Sequence, residues 1–214
     1  MQTFTNKAGS SIVDQLILTI QENKQYLSDI DGLIGDGDHG INMNKGFTMC
    51  REELDKNPGD LSYGLKVLAK ILMMKIGGSM GPLYGKFFKA IGVALEGKEE
   101  IGINEMGEAL KTAVDAIASI SPAKVGDKTL IDTLIPSLEA YQKAQAESKS
   151  FSEALEAMKI AAIEGRDSTK DMVAKLGRAS RLGERSRGVL DAGATSCCLI
   201  LETIADEASK LIKV

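Results

Sequence analysis

Apolar residues recur along most of the chain at three- and four-residue intervals, and no stretch alternates convincingly, so the pattern predicts helices and no strand. A capping-box-like S-I-V-D at Ser11 opens a first helix through Ile12, Val13, Leu16, Ile17 and Ile20, which is expected to give way near Ser28. Met43, Phe47, Cys50 and Leu54 carry a second to the stop N-P-G-D at Asn57 to Asp60. A third, L-K-V-L-A-K-I-L-M-M-K-I, is apolar on nearly every side, which predicts burial, and it ends at Gly77-Gly78. Pro82 and Gly97 bracket a fourth, at the positions where a helix favours proline and glycine. Asn104 is placed to cap a fifth, with Leu110, Ala113, Val114 and Ile117 on one face and Ser121-Pro122 closing it.

After Gly126-Asp127 the helical period resumes with Pro136 inside it, which should kink that helix or delay its start. Ser150 and Glu153 form a second capping box, opening a long pattern through Leu155, Met158, Ala161 and Ala162. Met172, Val173 and Leu176 read as its continuation past Gly165. A last helix spans about Gly193 to Lys210. About eight helices with short connections imply an all-α fold, an antiparallel bundle or barrel, with residues 1–214 as one domain.

The breaks between these helices hold the chemistry. Asp31 to Asn44, D-G-L-I-G-D-G-D-H-G-I-N-M-N, packs Asp31, Asp36 and Asp38, four glycines and the sole histidine into one stretch. Unit charges ~4 Å apart at an effective dielectric near 20 interact by about 4 kcal/mol, so three carboxylates need a positive partner. A hard divalent cation such as Mg²⁺ suits them, and Gly40 at a helix start leaves N–H groups free for a phosphate. An EF-hand is excluded: counting from Asp36, position six is Ile41 where glycine belongs, and position twelve is Phe47 where a bidentate Glu belongs.

Composition narrows the rest. The 214 residues are 43% hydrophobic and 26% charged, as in ordinary globular proteins, and a net charge of −4 with no basic run disfavours a nucleic-acid partner. Cys50, Cys197 and Cys198 make no disulfide framework, and with one histidine there is no Cys/His zinc set. With no signal-like N-terminus and no apolar run of membrane length, a cytoplasmic location is expected. The cysteines of the last helix read as core, and Arg181 and Arg187 as a solvated basic face.

Four further runs follow in order: G-G-S-M-G-P-L-Y-G from Gly77, G-D-K-T from Gly126, G-R-A-S-R-L-G-E-R-S from Gly177 and D-A-G-A-T-S from Asp191. The second of the five runs is no Walker A loop, since Gly81 to Lys86 is one residue short and Phe87 stands where Ser or Thr belongs. Taken alone, G-G-S-M-G-P reads more readily as a plain helix-helix turn, and Gly126 to Thr129 as a helix cap. Together and in this order they resemble the L subunit of dihydroxyacetone kinase (DhaL) over essentially the whole chain.

That resemblance implies a barrel of eight antiparallel helices with a nucleotide at one end, and two Mg²⁺ ions on Asp31, Asp36 and Asp38 bridging its phosphates. It implies ADP or ATP as a tightly bound coenzyme, held by His39, Gly40, Ile41 and Asn42 and by Ser79 and Met80. Ser121 and Leu130 match adenine-side positions, and Arg178, Asp191, Ala192 and Gly193 a group closing over the nucleotide; Ala192 departs from the proline common there. The implied reaction is phosphoryl transfer to dihydroxyacetone held on a separate K subunit, with rephosphorylation by the phosphohistidine subunit DhaM. Alternatives are the L part of an ATP-dependent ketose kinase, or an ADP-binding sensor that docks to a transcription regulator. A fatty-acid-kinase-type domain usually reads G-D-G-D-T-G, and His39 argues against it. The absence of a K region in this chain favours the phosphotransferase-dependent form.

Overall fold

The computed structural model describes residues 2–213, and α-helices account for most of them. In order they are α1 (Ser10–Glu22), α2 (Lys24–Ile34), α3 (His39–Lys56), α4 (Leu61–Lys75), α5 (Met80–Ala94), α6 (Ile103–Ala118), α7 (Ile131–Ala146), α8 (Phe151–Ser168) and α9 (Ala192–Leu211). From α3 to α9 each helix packs on the next, and α9 closes the circuit on α1 and α2, which return to α3. One continuous core fills the ring, with Leu16, Phe47, Leu68, Phe88, Leu155 and Leu201 among its fully buried members.

Several local expectations are corrected. The first apolar pattern is interrupted at Asn23, whose side-chain amide shares the Thr19 carbonyl with its own backbone N–H, and two helices stand where one was expected. The second of them runs to Ile34 and buries Leu27, Ile30 and Ile34; Asp31 therefore sits on a helix and not in a loop. Ser11 lies inside α1, with its hydroxyl donated to Ala8 O, so S-I-V-D is not a capping box. Asn104 does not cap α6: the N-cap is Gly102, whose N–H is received by Glu105.

Helix α4 is not buried all round, since Met73 and Met74 reach solvent at its end. Helix α7 passes through Pro136 without interruption. The proline ring leaves the carbonyl of Asp132 without its helical donor, and Gly165 of α8 approaches that carbonyl so closely that a Cβ would lie 2.4 Å from it. The Ser150–Glu153 capping box opens α8 as expected, but that helix ends at Ser168. Met172, Val173 and Leu176 are irregular, and a run of 3-10 turns follows over Arg178–Ser186.

Two three-residue strands went unseen, β1 (Thr3–Thr5) and β2 (Glu100–Gly102), which pair antiparallel with Phe4 opposite Ile101. Segments this short contain one inward residue each and leave no alternation to read. Phe4 is buried and stacks on Phe151, pinning the N-terminal segment at the end of the ring where α7 hands over to α8.

Candidate functional site

Every second connection, namely α2–α3, α4–α5, α6–α7 and α8–α9, opens into one cavity of ≈ 980 Å³. The alternation of an antiparallel ring therefore directs the N-termini of α3, α5, α7 and α9 to the same end, and His39, Met80, Ile131 and Ala192 all line the cavity. Helix N-termini carry unpaired N–H groups and a positive partial charge, so four of them converging make an anion-attracting chamber.

The three aspartates stand at one side of it. Each offers an oxygen, and these atoms lie within 4.8 Å of one another. Asp31 comes from the last turn of α2, and its Oδ2 accepts the N–H groups of Asp38 (3.0 Å) and His39 (3.3 Å), folding the connection back on the helix. Gly37 makes the reversal at φ +74°. Gly35 leaves room for the carboxylate: a Cβ there would lie 2.3 Å from Asp31 Oδ1. Gly40 brings α3 against α2, where a Cβ would meet the Lys24 carbonyl at 1.9 Å. The all-oxygen donor set and the glycine cradle fit a hard divalent cation. Arg178 reaches over from the α8–α9 segment and pairs with Asp36 at 2.5 Å.

Of the residues singled out from the sequence, Asp31, Asp36, Asp38, His39, Asn42, Ser79, Met80, Ser121, Leu130, Arg178, Asp191, Ala192 and Gly193 all line this cavity. Gly40 and Ile41 do not: Gly40 is buried against α2, and the Ile41 side chain is 52% exposed. Their first-turn N–H groups are all they can offer from there. Ser79 makes no capping bond with its hydroxyl, and Gly78 before it turns at φ +72°. Ile117, Ile120, Pro122 and Leu130 give another wall of the cavity an apolar lining.

The floor is tied by a hydrogen-bonded chain across three helices. His39 Nε2 and Ser196 Oγ are 2.9 Å apart, Ser196 Oγ and the Tyr84 hydroxyl 2.6 Å, and Tyr84 also donates to Gly193 O at 3.2 Å. Burial lowers the His39 pKa to about 4 against the opposing pull of Asp38, so the ring is neutral at pH 7. Burial raises Asp191 to about 6, while the Ala194 N–H it accepts at 2.7 Å, as N-cap of α9, and the Lys128 charge act the other way.

Tyr84, Lys128 and Ser196 fall inside the runs quoted from the sequence but were not singled out there as site residues, and Asp132 lies outside those runs. Asp132 orders the α6–α7 connection together with the G-D-K-T run: it takes the N–H groups of Gly126 (2.5 Å) and Thr129 (2.7 Å), while Asp127 takes that of Lys124 (2.8 Å) and Thr129 Oγ1 that of Ile131 (3.2 Å). The runs G-G-S-M-G-P-L-Y-G and D-A-G-A-T-S contain Tyr84 and Ser196, but neither run separates a site residue from a satisfied core hydroxyl. The three cysteines are buried and free, as expected.

Residues 33–206 match the DAK2 domain model, a span that begins just after Asp31. The chain belongs to the DAK2 domain family. It is 36% identical over 200 residues to the ADP-binding subunit DhaL of PEP-dependent dihydroxyacetone kinase 2 of Listeria innocua, covering 90% of each chain. The corresponding DhaL of Escherichia coli is 37% identical over 185 residues, 85% of this chain and 87% of that one. Among solved structures, the native dihydroxyacetone kinase of C. freundii superposes with a TM-score of 0.71 at 25% identity, over 95% of this chain and 35% of that one. The same kinase in complex with AMP-PNP and Mg²⁺ gives 0.66 at 23% identity. This DAK2 domain thus spans about a third of that kinase and nearly all of the DhaL subunits.

Proposed function

We propose that this chain is the nucleotide-bearing subunit of a phosphoenolpyruvate-dependent dihydroxyacetone kinase. It holds Mg²⁺ and ADP or ATP as a resident coenzyme, hands a phosphoryl group to dihydroxyacetone on a separate K subunit, and is recharged by the phosphohistidine subunit DhaM. The observation that carries this is the cavity itself, with three converging carboxylates and an arginine at one side, four helix N-termini around it and an apolar wall elsewhere. The names of the L. innocua and E. coli relatives supply the reaction, and the Mg²⁺ complex of the C. freundii kinase supports the metal.

In this reading Asp31, Asp36 and Asp38 are the ligands of two Mg²⁺ ions, which when bound neutralise charge on the phosphates. The N–H groups at the starts of α3 and α5, with Ser79, hold phosphate oxygens; Arg178 faces the transferred group; Ser121 and Leu130 flank the base. The chain's own contribution is position and charge, with no residue offered as nucleophile or base. His39 is neutral and engaged with Ser196, so its role is to order the start of α3.

The test is reconstitution with candidate K and M subunits, with a labelled ADP preloaded on this chain. Turnover driven by phosphoenolpyruvate with the label retained through many cycles is expected. Full turnover on ATP alone, with the label lost at the rate of product formation, would instead make this the L part of an ATP-dependent kinase. The likeness to part of the C. freundii kinase keeps that second reading in view. Independently, Asp36→Ala and Asp38→Ala should abolish Mg²⁺-dependent nucleotide binding in calorimetry with helical content intact.

A further inference from the structure

Lys128 lines the cavity yet is only 1% exposed, in a backbone conformation (φ +62°) that few side-chain-bearing residues adopt. A lysine after a glycine-rich turn in a phosphate site suggests a phosphate ligand, but the hydrogen bonds exclude that role. An ammonium has three donors and no acceptor. All three are spent on main-chain carbonyls: Val189 O at 2.5 Å, Ser186 O at 2.6 Å and Met172 O at 3.3 Å. The three acceptors belong to one segment, the α8–α9 connection, whose two limbs close around the ammonium.

The rest of that segment is bound mainly to itself. Ser186 Oγ donates to Gly183 O and receives the Ala174 N–H, and Gly188 N–H reaches Lys170 O. Its tie to the neighbouring connection is beside Lys128, through Lys175 N–H to Asp127 O. Between the limbs lies the exposed run of turns that carries Arg178 to Asp36. Three carbonyls converging on a buried point are costly without a donor, so the closed form of the segment depends on the ammonium.

We infer that Lys128 is a positioning residue: its ammonium pegs the two limbs of the Met172–Val189 segment together and thereby holds Arg178 over the aspartates. This rests on the nucleotide-site reading for its consequence, but the peg itself is a property of the free chain.

The experiment uses the full chain carrying Lys128→Met, which keeps the apolar stem and removes the ammonium. Hydrogen exchange of the nucleotide-free protein should show protection lost at Ala174, Lys175 and Gly188 while the helices keep theirs. Dissociation of Mg²⁺-ADP should be about tenfold faster, and in an Arg178→Ala background the same change should have little further effect, because the two act in series. Unchanged exchange in the segment, or effects of Lys128→Met and Arg178→Ala that simply multiply, would overturn the inference. Should Lys128→Met not fold, Lys128→Arg takes its place. It keeps the charge but substitutes a planar fork for a converging tripod, and wild-type protection in it would overturn the inference equally. If Arg178→Ala and Asp36→Ala left ADP binding untouched, the nucleotide reading would fail while the exchange result still decided the peg.

Discussion

Asp191 and His39 are shifted in opposite directions by one cause, burial that disfavours the charged form of each. For Asp191 the folded value of about 6 lies above the unfolded value, so the native state binds the proton more tightly. The stability this adds is complete below about pH 4 and is lost as pH rises to 6. His39 runs the other way, its folded value of about 4 costing stability as pH falls below its ordinary 6.5. The two nearly offset in the wild type, so a comparison is needed to see either. Asn remains a good N-cap, and Asp191→Asn leaves the His39 part unchanged. In urea unfolding of the metal-free protein from pH 4 to 7, the variant should gain on the wild type by up to about 3 kcal/mol as pH rises. A pH-independent difference would put Asp191 at an ordinary carboxylate value. The aspartate cradle makes a second residue-scale prediction. Gly35→Ala drives a Cβ into Asp31 Oδ1 and should weaken Mg²⁺-dependent ADP binding by about tenfold in calorimetry.

Among the helices, the packing of α7 on α8 depends on two residues that would each weaken a helix alone. Pro136 removes a donor within α7 and Gly165 lowers the propensity of α8, yet they meet at the Asp132 carbonyl, which the bare Gly165 backbone approaches closely. Gly165→Ala puts a Cβ 2.4 Å from that oxygen and 2.9 Å from Thr133 Cα, both main-chain atoms that cannot rotate away. It should lower stability by about 1–3 kcal/mol, a fall in Tm of roughly 2–4 °C per kcal/mol for a chain of this size. Because α7 also carries Asp132, which orders the G-D-K-T connection, the same change should loosen the cavity wall. A variant with unchanged Tm would show that the helices separate at little cost.

For the whole molecule, four of the helix connections meet at one end, so a ligand there touches parts of the chain that the core does not join directly. A nucleotide at ~1,000 times its dissociation constant should add about 4 kcal/mol to stability by mass action. Calorimetric melting with Mg²⁺ and ADP should therefore lie several degrees above melting in excess chelator with the same ADP. Equal melting temperatures would mean that the carboxylates hold no metal that matters to the nucleotide. The β1–β2 pair and the Phe4–Phe151 stack lie at the opposite end, and Phe4→Ala should destabilise by about 3–5 kcal/mol in urea with ADP affinity little changed.

Periodicity and short motifs are local, and what they encode was legible. Most helices lie where the apolar repeat puts them, and the five chemistry-bearing runs supply nearly every residue of the cavity that the sequence singled out. Local signals also misled: acids and a glycine made the end of α2 look like loop, although Leu27, Ile30 and Ile34 continue its buried stripe. Only the closed ring decided that the runs face one another, since each is a plausible turn by itself and their convergence follows from antiparallel packing. The strands are too short to alternate, and β1 finds β2 nearly a hundred residues away. Lys128 is the clearest case. Nothing beside it in the chain distinguishes a phosphate ligand from a peg, because its three acceptors lie 44, 58 and 61 residues further on and meet only when the α8–α9 segment folds over it.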